Sequence, residues 1–569
     1  MDGLLLRCIC HELDERLPGS MVARVDQPGR AEIELELWRR DWRGCLLVSV
    51  APNVQAIYFG KGHRSGRVPE GFCMLLRKYL EGSRIISVNQ NGFEREMQIV
   101  FTMPPHVAHI TRKASLVVSF LGSRGNINLI DEGGSTIGSL SRAVLAPPEK
   151  LPPTSVGVSD ITSWSRESRP DTPVRKLLVK NIEGIGNLIA GEIVVRAGMD
   201  PEMKAADVDD TVAAKLCSAL AEILEYSLPG KCRPVVFSFK GSPVDFHCLD
   251  LAEYAGMERI SFNSCLEAAA FFWTRKREQF AFEELRRKLE TAITRSIKRA
   301  ERKANLQAEE ADRGREAERY RIMGELLITY CHLIPPHSKS ARLPNHYDPN
   351  GGEIDIPLDP SLSPIDNAQA YFKKYRKAIS SQKLAGEQLA KTREELAYLS
   401  QVEQAVLMAS DSEELGLLEE ELISQGYIPS RKEKSATKTK QAGPRVFWTS
   451  EGLQVLVGRS NVQNDMITFR MARDDDIWLH AKGSPGAHVI LRKSEHPGDW
   501  PPKASLEEAA SIAAFYSKAR GSAKAPVDWT MVCHVRKPSG ARPGMVIYDH
   551  QRTIMVTPKC PESTEKEKQ

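Results

Sequence analysis

The sequence predicts a multidomain α+β protein. Three observations carry that class. Short β-branched strands bounded by Gly, Pro and Asn recur near both ends. Two long, charged helical stripes without internal proline occupy the middle. Proline- and serine-rich stretches separate these regions. At about 150 residues per domain, 569 residues suggest roughly four units.

Residues 1–146 read as a mixed α/β N-terminal domain. Helices are expected at Leu4–Glu15 and Phe72–Glu81. Strands are expected at Ala31–Trp38, Cys45–Val50, Arg84–Asn89, Glu96–Thr102 and Leu116–Leu121. Residues 147–173, opened by Pro147-Pro148 and Pro152-Pro153, read as a linker. Residues 174–260 turn helical, with Gly184-Ile185-Gly186 marking a helix-hairpin-helix turn. Such a turn exposes backbone N–H groups that can hold a phosphate, although Gly-x-Gly turns also simply let helices pack.

Residues 266–425 read as a long antiparallel coiled-coil arm with a Pro-rich tip at about 331–365. Leu285, Leu289, Ile293, Ile297, Ala300 and Ala304 form one stripe. Leu389, Thr392, Leu396, Leu399, Glu403 and Val406 form the other. Between Trp273 and Lys303 there are 11 Lys/Arg against 5 Asp/Glu, so the first helix is basic although the chain's net charge is only +4. Such a run is either a solvated face or a phosphate-binding one. Residues 430–445 form a basic linker, 446–560 a β-rich α+β C-terminal domain, and 561–569 a charged, disordered tail. Strands are expected there at Val446–Trp448, Leu453–Val457, Met466–Arg470, Ile477–Ala481, His488–Arg492, Trp529–Val535 and Met545–Tyr548, with a helix at Ser505–Ala519.

No apolar stretch approaches the ~18 residues of a spanning helix, and Asp2 and Arg7 spoil a signal peptide, so a cytoplasmic protein is expected. The 11 cysteines include no CxxC pair, which argues for reduced thiols and against a metal site or other cofactor. No P-loop, dinucleotide fingerprint, HExxH or nucleophile elbow occurs, so no catalytic residue is expected. His480 and His488 flank a Ser-Pro-Gly turn and read either as turn neighbours or, with Asp476, Trp478 and Lys482, as RNA contacts. Arg77, Arg84, Arg95 and Arg124 lie near glycine turns in the first domain, where phosphate recognition competes with an ordinary solvated surface.

Several long strings resemble one family. Phe72–Gly82 is similar to its N-terminal signature. Gly324–Leu327, Ile356–Pro364 and Asn367–Tyr375 resemble its central arm, and Gly458–Asp465 and Trp478–Leu491 its C-terminal domain. The family is the NFACT-domain ribosome quality control factors, of the RqcH and NEMF kind, formerly described as fibronectin-binding protein A-like. The resemblance implies an RNA-binding, elongation-type factor without catalysis of its own. Such a factor binds stalled large (50S) subunits, with their 23S rRNA and peptidyl-tRNA. It recruits alanyl-tRNA and directs untemplated alanine tailing, and a small RNA-binding partner of the RqcP kind is implied.

Carried over by residue, the family's Asp-Arg pair falls on Glu94-Arg95, one methylene longer at the acid. A second motif reads Gly122-Ser123-Arg124-Gly125-Asn126, without the family's histidine and serine. Arg77, Arg84, Glu94, Arg95, Arg124 and Asn126 are thus candidate tRNA contacts, and Gly184 and Gly186 the candidate phosphate-binding hairpin. In the C-terminal domain Arg459, Asn464, Asp476, Trp478, His480, Lys482 and His488 are candidate RNA contacts. Two other classes stay open: a fibronectin-binding surface adhesin, and a glycosylase-like DNA-binding protein. The latter lacks the N-terminal proline nucleophile, because the chain starts Met1-Asp2-Gly3.

Overall fold

A computed structural model describes residues 1–62, 70–107, 112–141, 150–312, 314–349, 351–429, 443–493 and 500–560. The expected tail, most of the basic linker and residues 147–149 lie outside these residues. The chain forms two compact units, residues 1–279 and 280–569.

The first unit opens with helix α1 (Gly3–Arg16), capped by Asp2, whose carboxylate accepts the Leu5 amide at 2.9 Å. Leu4, Leu5, Leu6, Ile9 and Leu13 of α1 are buried. They belong to one core shared with a nine-stranded antiparallel sheet. Its strands are β1 (Met21–Asp26), β2 (Glu32–Arg39), β3 (Trp42–Ala51), β4 (Val54–Gly60), β5 (Arg84–Gln90), β6 (Glu96–Thr102), β7 (Lys113–Ser119), β8 (Asn126–Asp131) and β9 (Thr136–Ser139). The order is β4-β3-β2-β1-β5-β6-β7-β8-β9, and helix α2 (Gly71–Leu80) carries the chain from the first meander to the second. The sequence reading missed β1, β4, β8 and β9, because those segments mix polar and apolar residues without an unbroken β-branched run.

The expected linker is in part a folded helix. In α3 (Val158–Glu167) the Asp160 carboxylate accepts the Gly157 amide at 2.8 Å, and Ile161, Thr162 and Ser165 are buried. Helices α4 (Val174–Asn181), α5 (Asn187–Arg196) and α6 (Asp210–Glu225) follow. The region read as turning helical then ends in a small sheet, β11-β10-β12, built from β10 (Val235–Phe239), β11 (Ser242–His247) and β12 (Glu258–Ser261).

Helix α7 (Cys265–Asp312) begins in the first unit and continues into the second. There α7, α8 (Gly314–Thr329) and α9 (Pro364–Met408) make the antiparallel arm. Leu289, Ile293 and Ala300 pack with Tyr398, Leu399, Val402 and Val406, while Met323, Leu326 and Leu327 pack with Ala368 and Tyr371. Glu403 is only half-buried, and Tyr398 and Val402 fill the seam in its place. Buried Thr392 donates its hydroxyl to Gln307 at 2.7 Å, a polar pair within an otherwise apolar stripe. The Pro-rich tip is a β-hairpin, not an irregular bend: β13 (Ser340–Pro344) pairs with β14 (Glu353–Pro357). Pro344 and Pro357 stand at the ends of these strands, a position that tolerates a missing N–H, and the tip's other prolines lie outside them.

After α10 (Ser412–Ser424) comes a six-stranded antiparallel sheet, β15-β16-β18-β17-β19-β22. Its strands are β15 (Arg445–Trp448), β16 (Gln454–Val457), β17 (Ile477–Ala481), β18 (Val489–Leu491), β19 (Ala525–Met531) and β22 (Arg552–Val556). The short pair β20 (Val535–Arg536) and β21 (Ile547–Tyr548) lies apart from it. The expected strand at Met466–Arg470 is instead helical. Ser460 caps α11 (Asn461–Met466) by accepting the Gln463 amide, and a π-type turn continues to Met471. Helix α12 (Lys503–Phe515) covers one face of the sheet with Leu506, Ala509, Ala510, Ile512 and Ala513.

Candidate nucleic-acid interface

The turn Asn91–Arg95 between β5 and β6 is locked to two distant segments of the first unit. The Phe93 amide donates to the Glu183 carboxylate, and Arg95 Nη2 donates to the Ile185 carbonyl at 3.3 Å. The Gly3 amide donates to the Gly184 carbonyl at 2.8 Å. Arg7 donates to the Gly92 carbonyl at 2.8 Å and lies 4.6 Å over the Phe93 ring. Gln90 Nε2 donates to the carbonyls of Gly3 (3.0 Å) and Glu94 (2.6 Å). The start of the chain, the Glu94-Arg95 turn and the Gly-Ile-Gly hairpin thus form one constellation.

Two glycines make this approach possible. Gly184 has φ +73°, and a Cβ on either Gly3 or Gly184 would stand 1.9 Å from the Phe93 carbonyl oxygen. Gly186 differs: a Cβ there would meet the Arg95 guanidinium at 3.5 Å, an ordinary contact. Gly186 instead precedes α5, whose first amides have no side-chain cap.

Charge gathers around the turn. Burial, then the neighbouring Glu183 and Glu96, raise the Glu94 carboxyl above its ordinary range. Burial, then Arg95 and Arg124, lower the Lys150 ammonium. Among the described residues Arg95 donates to one acceptor only, which leaves most of its five N–H donors free. Arg124 is exposed, and Lys150 donates to the Val179 carbonyl at 2.6 Å. This set offers planar and point-like cations beside uncapped helix amides, which is suited to a phosphate-bearing ligand.

The remaining first-domain candidates lie outside the constellation. Arg77 is spent on Asp26 (2.7 Å) and the Val25 carbonyl (2.8 Å). Arg84 donates to the Gly19 carbonyl at 3.1 Å. Asn126 is buried, and its amide holds Ser139, Asn128 and Ser141. Sequence reasoning missed Arg7, Lys150 and Glu183. Glu183 alone left a signal, as an acid immediately before the hairpin glycine.

In the second unit the predicted RNA contacts are largely internal. Trp478 is 0% exposed, packed at ring distances of 4.7 Å to Tyr548, 5.2 Å to His488 and 5.7 Å to His480. Asp476 is also 0% exposed and accepts the amides of Arg473 and Lys493, each at 2.8 Å. His488 is buried, with Nδ1 2.9 Å from the Thr468 hydroxyl and its amide donating to Asn464 Oδ1 at 3.0 Å. Burial, followed by His480, pushes His488 down to about 3, and burial also lowers His480. Asp476, Trp478, Asn464 and His488 therefore shape the domain's core and expose no surface for stacking, a correction to the sequence reading. Such a side chain offers a base no face, however suitable its chemistry.

Two of the remaining three C-terminal candidates retain exposed or half-buried cations. Lys482 is exposed, with Nζ 3.0 Å from the Thr553 hydroxyl and 3.5 Å from Asp528. Arg459 lies 3.6 Å from buried Glu414, which also holds Arg445 at 2.6 Å. His480 is half-buried. On the arm, Arg295, Lys298, Arg299, Arg302 and Lys303 line an open groove on α7.

Comparison with known proteins completes the picture. Residues 2–441 match the family described as NFACT N-terminal and middle domains, and residues 444–548 the NFACT protein RNA binding domain. The chain is 31% identical over 576 residues to the Rqc2 homolog RqcH of Bacillus subtilis (strain 168), covering 98% of each. It is 28% identical over 575 residues to the Rqc2 homolog RqcH of Streptococcus pneumoniae serotype 2 (strain D39 / NCTC 7466), again covering 98% of each. A solved structure titled as the C-terminal of the fibronectin/fibrinogen-binding protein from Streptococcus suis is 29% identical, with a TM-score of 0.39, and covers 49% of this chain and 96% of that one. Among the described residues no helix is long and apolar enough to cross a membrane. With a family match across both parts and a relative aligned end to end, the chain belongs to the RqcH family of NFACT-domain, RNA-binding ribosome quality control proteins.

Proposed function

We propose that this protein binds stalled large ribosomal subunits carrying peptidyl-tRNA, recruits alanyl-tRNA and directs untemplated alanine tailing of the nascent chain. The ribosome makes the peptide bonds in this reading, and the protein positions RNA. Family membership supports the general role. The observation that carries the tRNA assignment is the Glu94-Arg95 turn locked against the Gly184–Gly186 hairpin, with Arg95 holding unspent donors beside Arg124 and Lys150. Arg95 and Arg124 would take backbone phosphates, and the uncapped amides of α5 a further one. The first part of the chain would then hold tRNA, while the basic groove on α7 and the C-terminal domain would meet ribosomal RNA. Glu94, carrying a raised proton affinity, would accept a hydrogen bond from a ribose or base edge near Arg95.

The test is recovery of tagged protein from growing cells. Large subunits and tRNA, enriched in alanine acceptors, are expected with the wild type. Arg95→Ala should lose tRNA at least about tenfold, the loss of one charged hydrogen-bonding group worth 1.5–3 kcal/mol, while subunit recovery largely survives. Recovery of neither subunits nor tRNA with the wild type would refute the proposal. Equal loss of both in a folded Arg95→Ala variant would refute the division of labour.

A further inference from the structure

The short pair β20–β21 of the second unit brings three metal-ligating side chains together. Val535 pairs with Tyr548 and Arg536 with Ile547, so the next residues outward, His534 and Asp549, stand opposite each other. The Asp549 amide donates to the His534 carbonyl at 3.3 Å, and the Asp549 carbonyl accepts the Thr530 hydroxyl at 2.9 Å. His550 follows with φ +55°, a left-handed backbone that histidine adopts more readily than most residues. Its ring stacks on that of His534, with centres 4.4 Å apart and planes 28° from parallel. One carboxylate oxygen of Asp549 lies 2.8 Å from His550 Nδ1 and 3.6 Å from His534 Nδ1. The three ligand atoms all lie within 4.8 Å of one another.

We propose that His534, Asp549 and His550 bind one divalent metal ion of the zinc class, with its remaining coordination positions open to solvent. Two imidazoles and a carboxylate are a donor set for zinc and its first-row neighbours. A tetrahedral ion with bonds of about 2.0–2.1 Å needs its ligand atoms ~3.4 Å apart, a closure that small side-chain rotations supply. Asp549 and His550 are exposed and His534 is half-buried, so the side chains have room to turn and an ion can enter from solvent. Three protein ligands leave a fourth position for water or another oxygen atom.

The ordinary alternative is a surface ion pair. Such a pair occupies the carboxylate with one imidazole and leaves the other free to turn to solvent. Here both nitrogens face the same oxygen and the rings stack. Two imidazolium charges would oppose that arrangement, and one shared cation would favour it. Each ligating ring offers a lone pair at Nδ1, so a proton held there passes to Nε2 or to solvent as the ion binds. Arg536, whose charge also reaches Asp549, is exposed and can turn away. The backbone beneath the site is anchored. Val532 and Val535, on either side of His534, are buried in one cluster with Trp478. Tyr548, next to Asp549, packs on Trp478 at 4.7 Å and donates its hydroxyl to Asp528 at 3.1 Å. Ligands carried on anchored strands are held together before the ion arrives.

The other close grouping, Glu12, Cys232 and Cys265, lies in the first unit. Its carboxylate is committed, accepting from Ser264 Oγ (2.6 Å) and from the amides of Cys265 (2.6 Å) and Leu266 (2.9 Å). The test therefore reads the histidines themselves. The full-length protein, reduced and stripped of metal, is titrated with zinc near neutral pH against a chromophoric chelator. His550→Asn keeps a side chain that tolerates the left-handed backbone and removes the imidazole. It should bind one equivalent fewer than the wild type, as should Asp549→Asn and His534→Gln. Losing a ligand costs at least the roughly tenfold that losing an outer-shell partner costs. Cys232→Ser/Cys265→Ser should retain that equivalent. On the unaltered protein, zinc should slow diethylpyrocarbonate modification of His534 and His550, read by mass spectrometry. Exposed His332 and His337, at the arm tip, should react as before. Unchanged modification of His534 and His550 under saturating zinc, or equal zinc binding by the wild type and folded His550→Asn, overturns the assignment.

Discussion

Gly3 and Gly184 both crowd the Phe93 carbonyl oxygen, so neither position has room for a side chain. Gly198 has the same φ of +73° as Gly184 but nothing within 4 Å of a Cβ, which separates backbone strain from collision. Gly198→Ala should cost about 1–3 kcal/mol from the left-handed backbone alone. Gly184→Ala should lower the melting temperature further, because a backbone oxygen cannot swing aside as a side chain can. Equal melting temperatures for the two variants would mean the hairpin is not seated on Phe93. A second residue-level consequence concerns pH. His488 is neutral in its buried site and titrates near 3, whereas an unfolded histidine titrates near 6.5. The unfolded chain therefore binds more protons between these values. Stability is complete above 6.5 and falls as pH drops towards 3. His480 shifts the same way. Denaturant unfolding at pH 7 and pH 5 should show a smaller loss for His488→Gln than for the wild type. An equal loss would remove His488 as a cause.

The elements of the arm show which sequence signals survive folding. Leu289 and Ile293 were legible because a helix repeats its faces every three to four residues, and both are buried against α9 and α10. The same periodicity put Glu403 into the seam, where the chain instead uses Tyr398 and Val402, one position away. A heptad reading fixes the stripe only to within such a shift when neighbouring residues are all plausible. The tip hairpin was hidden because its prolines read as breakers, although strand ends tolerate them. Buried Leu289→Ala should destabilise the second unit by about 2–5 kcal/mol. Leu306→Ala, on the same helix but 67% exposed, should stay within about 0.5 kcal/mol. Chemical denaturation that finds the two variants alike would contradict the antiparallel packing.

At the scale of the whole molecule, motifs confined to one segment were readable and those assembled from several were not. The Glu94-Arg95 and Gly184–Gly186 pieces were each visible alone, but only folding showed that they touch through Glu183 and Arg95. Trp478 and His488 misled for the opposite reason. Aromatic and imidazole side chains suit both a core and a nucleic-acid face, and composition cannot choose between them. Net charge has the same limit. A total of +4 conceals Arg295, Lys298, Arg299, Arg302 and Lys303 gathered on one groove of α7. If that groove meets ribosomal RNA, each phosphate it neutralises should add about 0.7–0.9 to the slope of log affinity against log salt. Arg299→Ala/Arg302→Ala/Lys303→Ala should then weaken binding to purified large subunits and flatten that slope by about 2. Glu301→Gln, a uniform change of charge on the same helix, should raise affinity slightly without altering the fold. A triple variant with reduced affinity but an unchanged salt slope would show that these cations hold the arm's shape and do not contact phosphate.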